Sequence, residues 1–272
     1  MSLYHGLVIF FGILMLYPLL WLMFGSLKPS EELFHNPGLF TANPTLENFK
    51  RGWAFDGNTS FGTYFYNSTF YSVVATIGAV LVSSLTAYGF TRIKFAGNKF
   101  WYTCMFLTLM LPFQVIMVPQ FILFHRLGWT QTAPWLPLIV PQFGGQAFFI
   151  FMMVQFYRTI PFELDQSAMI DGCNKFTIYS RILFPLIKPA LVTSAIFSFY
   201  WRWDDFLGPL LYLQRPHLRT VTLALRSFQD MVFTDWGALF AMGTASILPS
   251  LIIFFLGQKY IVEGIATTGL KS

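Results

Sequence analysis

Five stretches of this chain contain no Asp, Glu, Lys or Arg: residues 1–27, 57–91, 100–125, 127–157 and 236–258. Each reaches the roughly 20 residues that a helix needs to cross a hydrocarbon layer about 30 Å thick. Backbone placed in hydrocarbon must satisfy its own polar groups, which leaves only helices and closed barrels. A barrel strand alternates over about ten residues, whereas these runs are continuously apolar, so helices are expected. Composition agrees, because 55% hydrophobic and 11% charged residues with a mean hydropathy of +0.57 are too apolar for a soluble domain of 272 residues.

A sixth span is expected between Arg181 and Arg202, interrupted only by Lys188 and followed by the apolar run 206–214. The fold expectation is therefore an all-α polytopic membrane protein of six helices, one domain over residues 1–272. Its spans are placed at residues 4–27, 64–91, 100–124, 134–157, 182–213 with a kink, and 236–257. The first run is longer than a signal-peptide core and lacks a basic start, so it is read as a span. The compact loop 92–99 carries Arg92, Lys94 and Lys99 and no acid, which favours placing it, and with it both termini, on the cytoplasmic side. Arg202, Arg215, Arg219 and Arg226 then fall on the outer side, against the same rule.

Between two of the spans lies a charged insert, residues 158–181, which cannot sit in hydrocarbon and is expected to form a structured surface element. Pro161 can occupy a first helical turn, and Glu163 and Asp165 place negative charge where the helix dipole favours it. Leu164, Ser167 and Ala168 share one helical face, small enough for a partner to approach closely. Gly172 permits the left-handed turn that ends such a helix, with Asp171 available to accept backbone N–H bonds there and a second helix beginning near Lys175. Pro185 and Pro189 are expected to kink the following span.

In this insert the chain resembles the inner-membrane permease subunits of carbohydrate-class ABC importers, of the maltose and alginate oligosaccharide type. Their loop carries an EAA motif, roughly E-L-x-E-A-A-x-x-D-G, followed by I-x-x-P. Here it reads Glu163, Leu164, Asp165, Gln166, Ser167, Ala168, Met169, Ile170, Asp171, Gly172, then Ile182, Leu183, Phe184, Pro185. Gln166 and Ser167 depart from the acidic and first small residue, so Gln166 offers a hydrogen bond where relatives have a charge. Similar family patterns occur at residues 26–29, 43–49, 87–97 and 112–119, at Trp203, Asp204, Asp205 and Phe206, and in the tail at 258–264.

The resemblance implies a coupling helix seated on an ATPase, with Glu163, Leu164, Gln166, Ser167, Ala168, Asp171, Gly172 and Pro185 as ATPase-coupling residues. It further implies a homologous second permease, two ATPase subunits that bind the ATP and Mg, an extracytoplasmic solute-binding protein, and a bacterial cytoplasmic membrane. The binding protein is expected on residues 28–56 and the loop before Asp235.

Polar residues inside spans are expensive unless they face a cavity or a neighbouring helix. Asn67, Gln114, Gln142 and Gln146, with Trp203 and Asp204 at a span end, are the candidate substrate-path residues; Ser83, Ser84 and Ser198 are further polar positions. Interhelical hydrogen bonding is the competing role for each. Arg202, Asp204 and Asp205 are expected to sit at an outer helix end, flanked by interfacial Trp201 and Trp203. No phosphate loop, dinucleotide fingerprint, zinc motif or nucleophile elbow occurs, and neither the two cysteines nor the four histidines have ligand spacing. No enzyme activity, cofactor, metal or nucleic-acid partner is therefore expected of this chain. A gradient-driven secondary carrier is the alternative, disfavoured by the scarcity of ionisable residues inside spans.

Overall fold

The computed structural model describes residues 2–54, 59–229 and 234–269, with side chains from 4 to 261 within those ranges. Among the described residues all regular structure is helical, apart from one isolated bridge between Gln229 and Thr234. The principal helices are α1 (Ser2–Gly25), α2 (Phe61–Arg92), α3 (Asn98–Thr108), α4 (Phe113–Arg126), α5 (Ala147–Thr159), α6 (Glu163–Ile170), α7 (Lys188–Trp203) and α8 (Trp236–Gly269). Four segments are long and apolar enough to cross a membrane alone: Tyr4–Gly25, Phe61–Arg92, Leu136–Thr159 and Trp236–Ile261. Two further crossings need a bent pair each, α3 with α4 at 98°, and Lys175–Leu186 with α7 at 76°.

Proline and its lost N–H account for both bends. Pro112 holds an extended ψ of 138° between α3 and α4. The second bend falls at Ile187, between Pro185 and Pro189, after a π-helical turn at Ile178–Leu183. The helix expected to continue to residue 213 stops instead at Trp203. Asp205 is the reason: its carboxylate accepts the Gly208 N–H at 3.1 Å and starts the separate helix Leu207–Tyr212.

The chain divides into two compact units, Met1–Ser68 with Gln214–Leu251, and Thr69–Leu213 with Ile252–Ser272. In the first, the loop after α1 is built on a buried cation rather than on a surface charge. Lys28 is 1% exposed, and its Nζ donates to the Asn36 carbonyl at 2.7 Å and to that of Gly38. Asn48 donates its amide to the carbonyls of Ser26 and Lys28 at 2.9 and 2.6 Å. Arg51 reaches Asp235 at 3.2 Å, tying the two expected docking segments together. Asp56, the end of the first of those segments, lies outside the described residues.

Replacing Lys28 by Met strands two carbonyls and removes two charge-assisted bonds. It is expected to cost about 3 kcal/mol, read as a fall in the unfolding midpoint of the purified protein in detergent.

The second unit holds the larger core. Ala79, Ala87, Phe149, Met153, Tyr157, Ile178, Leu183, Ile187 and Ala190 are all buried in one cluster drawn from α2, α5, α7 and the segment after α6. The charged insert thus packs into the same core as the spans that flank it.

Candidate functional site

The insert folds as a short helix with a backbone-closed end. α6 starts at Glu163 with Phe162 before it, so Pro161 lies outside the helix rather than in its first turn. Ile160, which precedes a proline, is extended with ψ 124°, and the helical bonds begin at the Phe162 carbonyl, which accepts the Gln166 N–H at 3.2 Å. At the other end Cys173 N–H bonds to the Ala168 carbonyl at 2.9 Å and Gly172 N–H to that of Met169 at 3.1 Å. This pair of bonds requires a left-handed residue, supplied by Gly172 at φ +82°. The exposed Asp171 carboxylate takes no part in this closure, so the turn rests on backbone bonds alone.

Burial splits α6 differently from the expected small-residue face. Asp165 and Ala168 turn inward, 3% and 6% exposed, while Glu163, Leu164, Gln166, Ser167, Met169 and Ile170 face out. Ala168 is therefore a core residue of its own subunit, because the helix must bury one stripe and 165/168 is the stripe that meets α2. The outward side is unexpectedly apolar, with Leu164, Met169 and Ile170 all exposed and Ile170 at 87%, and Phe176 is exposed in the turn of helix that follows.

What holds α6 in place is Arg92, at the last position of α2. Its Nε lies 3.3 Å from Asp165 Oδ2, in an ion pair whose side chains are 8% and 4% exposed. Its Nη2 donates to the carbonyls of Tyr157 at 3.1 Å and Ile160 at 2.7 Å, satisfying the C-terminal end of α5, where a cation is also favoured by the helix dipole. The ring of Phe162 covers the guanidinium at 5.5 Å. Burial pushes the Asp165 carboxyl above its usual range, and the Arg92 charge pulls against that rise.

Arg92 is the last of three contacts spaced one turn apart on α2. Ser84 Oγ and Tyr179 Oη lie 2.7 Å apart, and Tyr88 Oη donates to the Lys175 carbonyl at 2.9 Å. Positions 84, 88 and 92 share one face of a helix, so α2 grips the insert along two turns. Displacing α6 moves α2, or breaks a buried ion pair. Asp165 and Arg92 were not among the sequence-derived coupling residues. The signal available was the polar side chains at i, i+4 and i+8 on an apolar helix. Pro185 lies exposed in the bend that follows the insert.

The candidate path residues are not gathered into one place. Asn67 uses its amide on the carbonyls of His217 and Arg219, at 2.9 and 3.0 Å, and holds its own unit together. Trp203 is buried and stacked on Phe199 at 5.6 Å, Asp204 is exposed at the end of α7, and Gln114 is exposed in the first turn of α4. Gln142 and Gln146 do meet: Gln146 Nε2 donates to Gln142 Oε1 at 2.5 Å, and Ser83 Oγ accepts the Gln146 N–H at 2.9 Å. They flank a break in the Leu136–Thr159 span at Gly145, whose φ is +76°. Two half-exposed amides at a broken helix inside a span form a site that can both donate and accept hydrogen bonds. Asp205 accepts the Tyr71 hydroxyl at 2.9 Å. Among the described residues no group of His, Cys, Asp or Glu is placed to hold a metal.

Residues 79–267, which include the gripping face of α2, the whole insert and α7, match the family model described as binding-protein-dependent transport system inner membrane component. The chain belongs to that family. It is a permease subunit of an ABC importer, a transport component rather than an enzyme. The permease is 33% identical to Probable ABC transporter permease protein YurM of Bacillus subtilis, over 94% of this chain and 83% of that one. It is 32% identical to the multiple sugar-binding transport system permease protein MsmG of Streptococcus mutans, over 96% and 93%. In fold, the permease matches a chain from the crystal structure of a bacterial ABC transporter involved in the import of the acidic polysaccharide alginate. The TM-score is 0.83 at 19% identity, covering 95% of each chain. The tail residues Val262, Glu263 and Gly264, part of the family resemblance, have side chains outside the described residues.

Proposed function

We propose that this permease pairs with a homologous second permease and two ATPase subunits to import a sugar or oligosaccharide delivered by an extracytoplasmic solute-binding protein. The membrane is a bacterial cytoplasmic membrane, with both termini and α6 on the cytoplasmic side. ATP and Mg stay with the ATPase subunits, since this sequence has no phosphate loop. The observation that carries the coupling role is the outward apolar face of α6, where Ile170 is 87% exposed on a segment too polar to lie in lipid. Such a patch on a water-facing element calls for a protein cover. Closure of the ATPases draws α6 with them, and the grip on α2 carries that movement into the spans. Support for a sugar comes from the name of MsmG, and support for a path site from the Gln142 and Gln146 amides, which suit a hydroxyl-rich ligand.

The test is uptake of a panel of labelled oligosaccharides by a strain lacking this chain, with and without complementation. The expected result is one oligosaccharide class whose uptake requires both this chain and ATP. Gln142→Leu with Gln146→Leu is expected to raise KM for it about tenfold, the equivalent of one hydrogen-bonded group at roughly 1.4 kcal/mol, with the ATPase still associated. Uptake that persists after ATP depletion, or a panel that never responds to this chain, contradicts the reading.

A further inference from the structure

The first turn of α7 and the turn of α8 at Lys259 and Tyr260 aim two lysines at one aromatic ring. Lys259 Nζ lies 4.8 Å, and Lys188 Nζ 5.6 Å, from the centroid of the Tyr260 ring. The register that brings them together is held by a side chain on a backbone carbonyl: the Thr193 hydroxyl donates to the Tyr260 carbonyl at 3.2 Å. One turn away, Gly257 lets the helices close so tightly that a β-carbon there would collide with Ile196. Both lysines are exposed, and among the described residues no carboxylate pairs with either. Two ammonium groups directed at one ring repel each other, and an anion placed between them removes that repulsion.

The lysines lie about one helical turn along α7 and α8 from residues that line an apolar groove. α2, α7 and α8 enclose an open cavity of about 350 Å³ lined by Ile77, Val192, Ile196, Ile253 and Leu256. Val192 is one helical turn beyond Lys188, and Leu256 one turn before Tyr260, so the groove begins where the charges end. A free anion or an acidic peptide would use the lysines and leave the groove empty. A neutral lipid would use the groove and leave the lysines unpaired. A molecule with an anionic head and a hydrocarbon tail uses both, and basic pockets between membrane helices are suited to anionic headgroups.

We propose that this is a binding site for an anionic phospholipid, its phosphate held between Lys188 and Lys259 beside the Tyr260 hydroxyl and one acyl chain laid between α7 and α8. The test is native mass spectrometry of the complex containing this chain, exposed to equimolar phosphatidylglycerol and phosphatidylcholine. The wild type is expected to retain phosphatidylglycerol preferentially. Lys188→Gln with Lys259→Gln should lower that preference about thirtyfold, the factor that two lysines contribute at a membrane surface, without reducing phosphatidylcholine retention. Lys188→Arg with Lys259→Arg should keep the preference, and Val192→Trp, which fills the groove, should lower retention of both lipids.

A double Gln variant that keeps the preference overturns the proposal. So does displacement of phosphatidylglycerol by inorganic phosphate with no effect of Val192→Trp, which would mark a free-anion site. Loss of the ATPase subunits from the double Gln variant with lipid retention unchanged would assign the surface to a soluble protein and overturn it as well.

Discussion

Arg92→Met should lower the stability of this permease by about 3 to 5 kcal/mol, the cost of leaving one partner of a buried ion pair uncompensated. The guanidinium lies 3.3 Å from Asp165 and donates to the carbonyls of Tyr157 and Ile160, so Asp165 and the Ile160 carbonyl lose their partner at once and the Tyr157 carbonyl keeps only the Ile160 N–H at 3.2 Å. Asp165→Asn should cost much less, because burial already favours the uncharged carboxyl and an amide oxygen can still face Arg92. The pH dependence has a definite sign. A folded-state pKa raised above the unfolded value adds stability as pH falls through it, fully present below about pH 4 and lost at higher pH. Wild type should therefore gain on Asp165→Asn as the solution is acidified. Denaturant midpoints of the detergent-purified protein at several pH values check both statements. Equal losses for Arg92→Met and Asp165→Asn, with no pH dependence between them, would contradict this account of the grip.

Ile170→Asp should leave the fold alone and disconnect the ATPase. The side chain is 87% exposed, and a substitution at such a position usually changes stability by no more than about 0.5 kcal/mol. An apolar anchor buried on docking, by contrast, is worth about 2 kcal/mol or more, so association with the ATPase should weaken at least about thirtyfold. The variant should show an unchanged unfolding midpoint, lost ATP-driven uptake, and ATPase activity that no longer responds to the binding protein. The double variant Arg92→Met with Asp165→Leu separates the two roles. It replaces the buried pair with apolar groups, should recover stability relative to Arg92→Met, and should still dock.

The parts of this molecule that depend on local chemistry were readable from residues alone. Charge-free runs marked the long apolar helices, and Gly172 after an acidic-start octet marked a short helix with a left-handed end, now seen at φ +82°. Reading failed where a charged residue changes its environment through tertiary packing. Arg92 and Lys28 are ordinary loop cations by position, yet each is withdrawn from water to satisfy carbonyls that its own neighbours leave open. Asp165 was read for its favourable place near a helix start, and nothing local says that this residue, rather than Glu163, turns inward. Ala168 followed it inward, since residues three apart share a face, and the outward side fell to Met169 and Ile170. Asn67 was chosen as a polar residue in a span and is consumed by two loop carbonyls about 150 positions along the chain. Sequence distance of that kind leaves no local trace.

The central claim is that the outward face of α6 is covered by an ATPase while its inward face is fixed to α2. It is tested most directly by placing a photoactivatable residue at Ile170 and irradiating native membranes. An adduct with an ATPase subunit is expected, in high yield and dependent on nucleotide state, and none from the same residue placed at the buried Ala168. Adducts at Ile170 confined to lipid or to this chain itself, under every nucleotide condition, would contradict it.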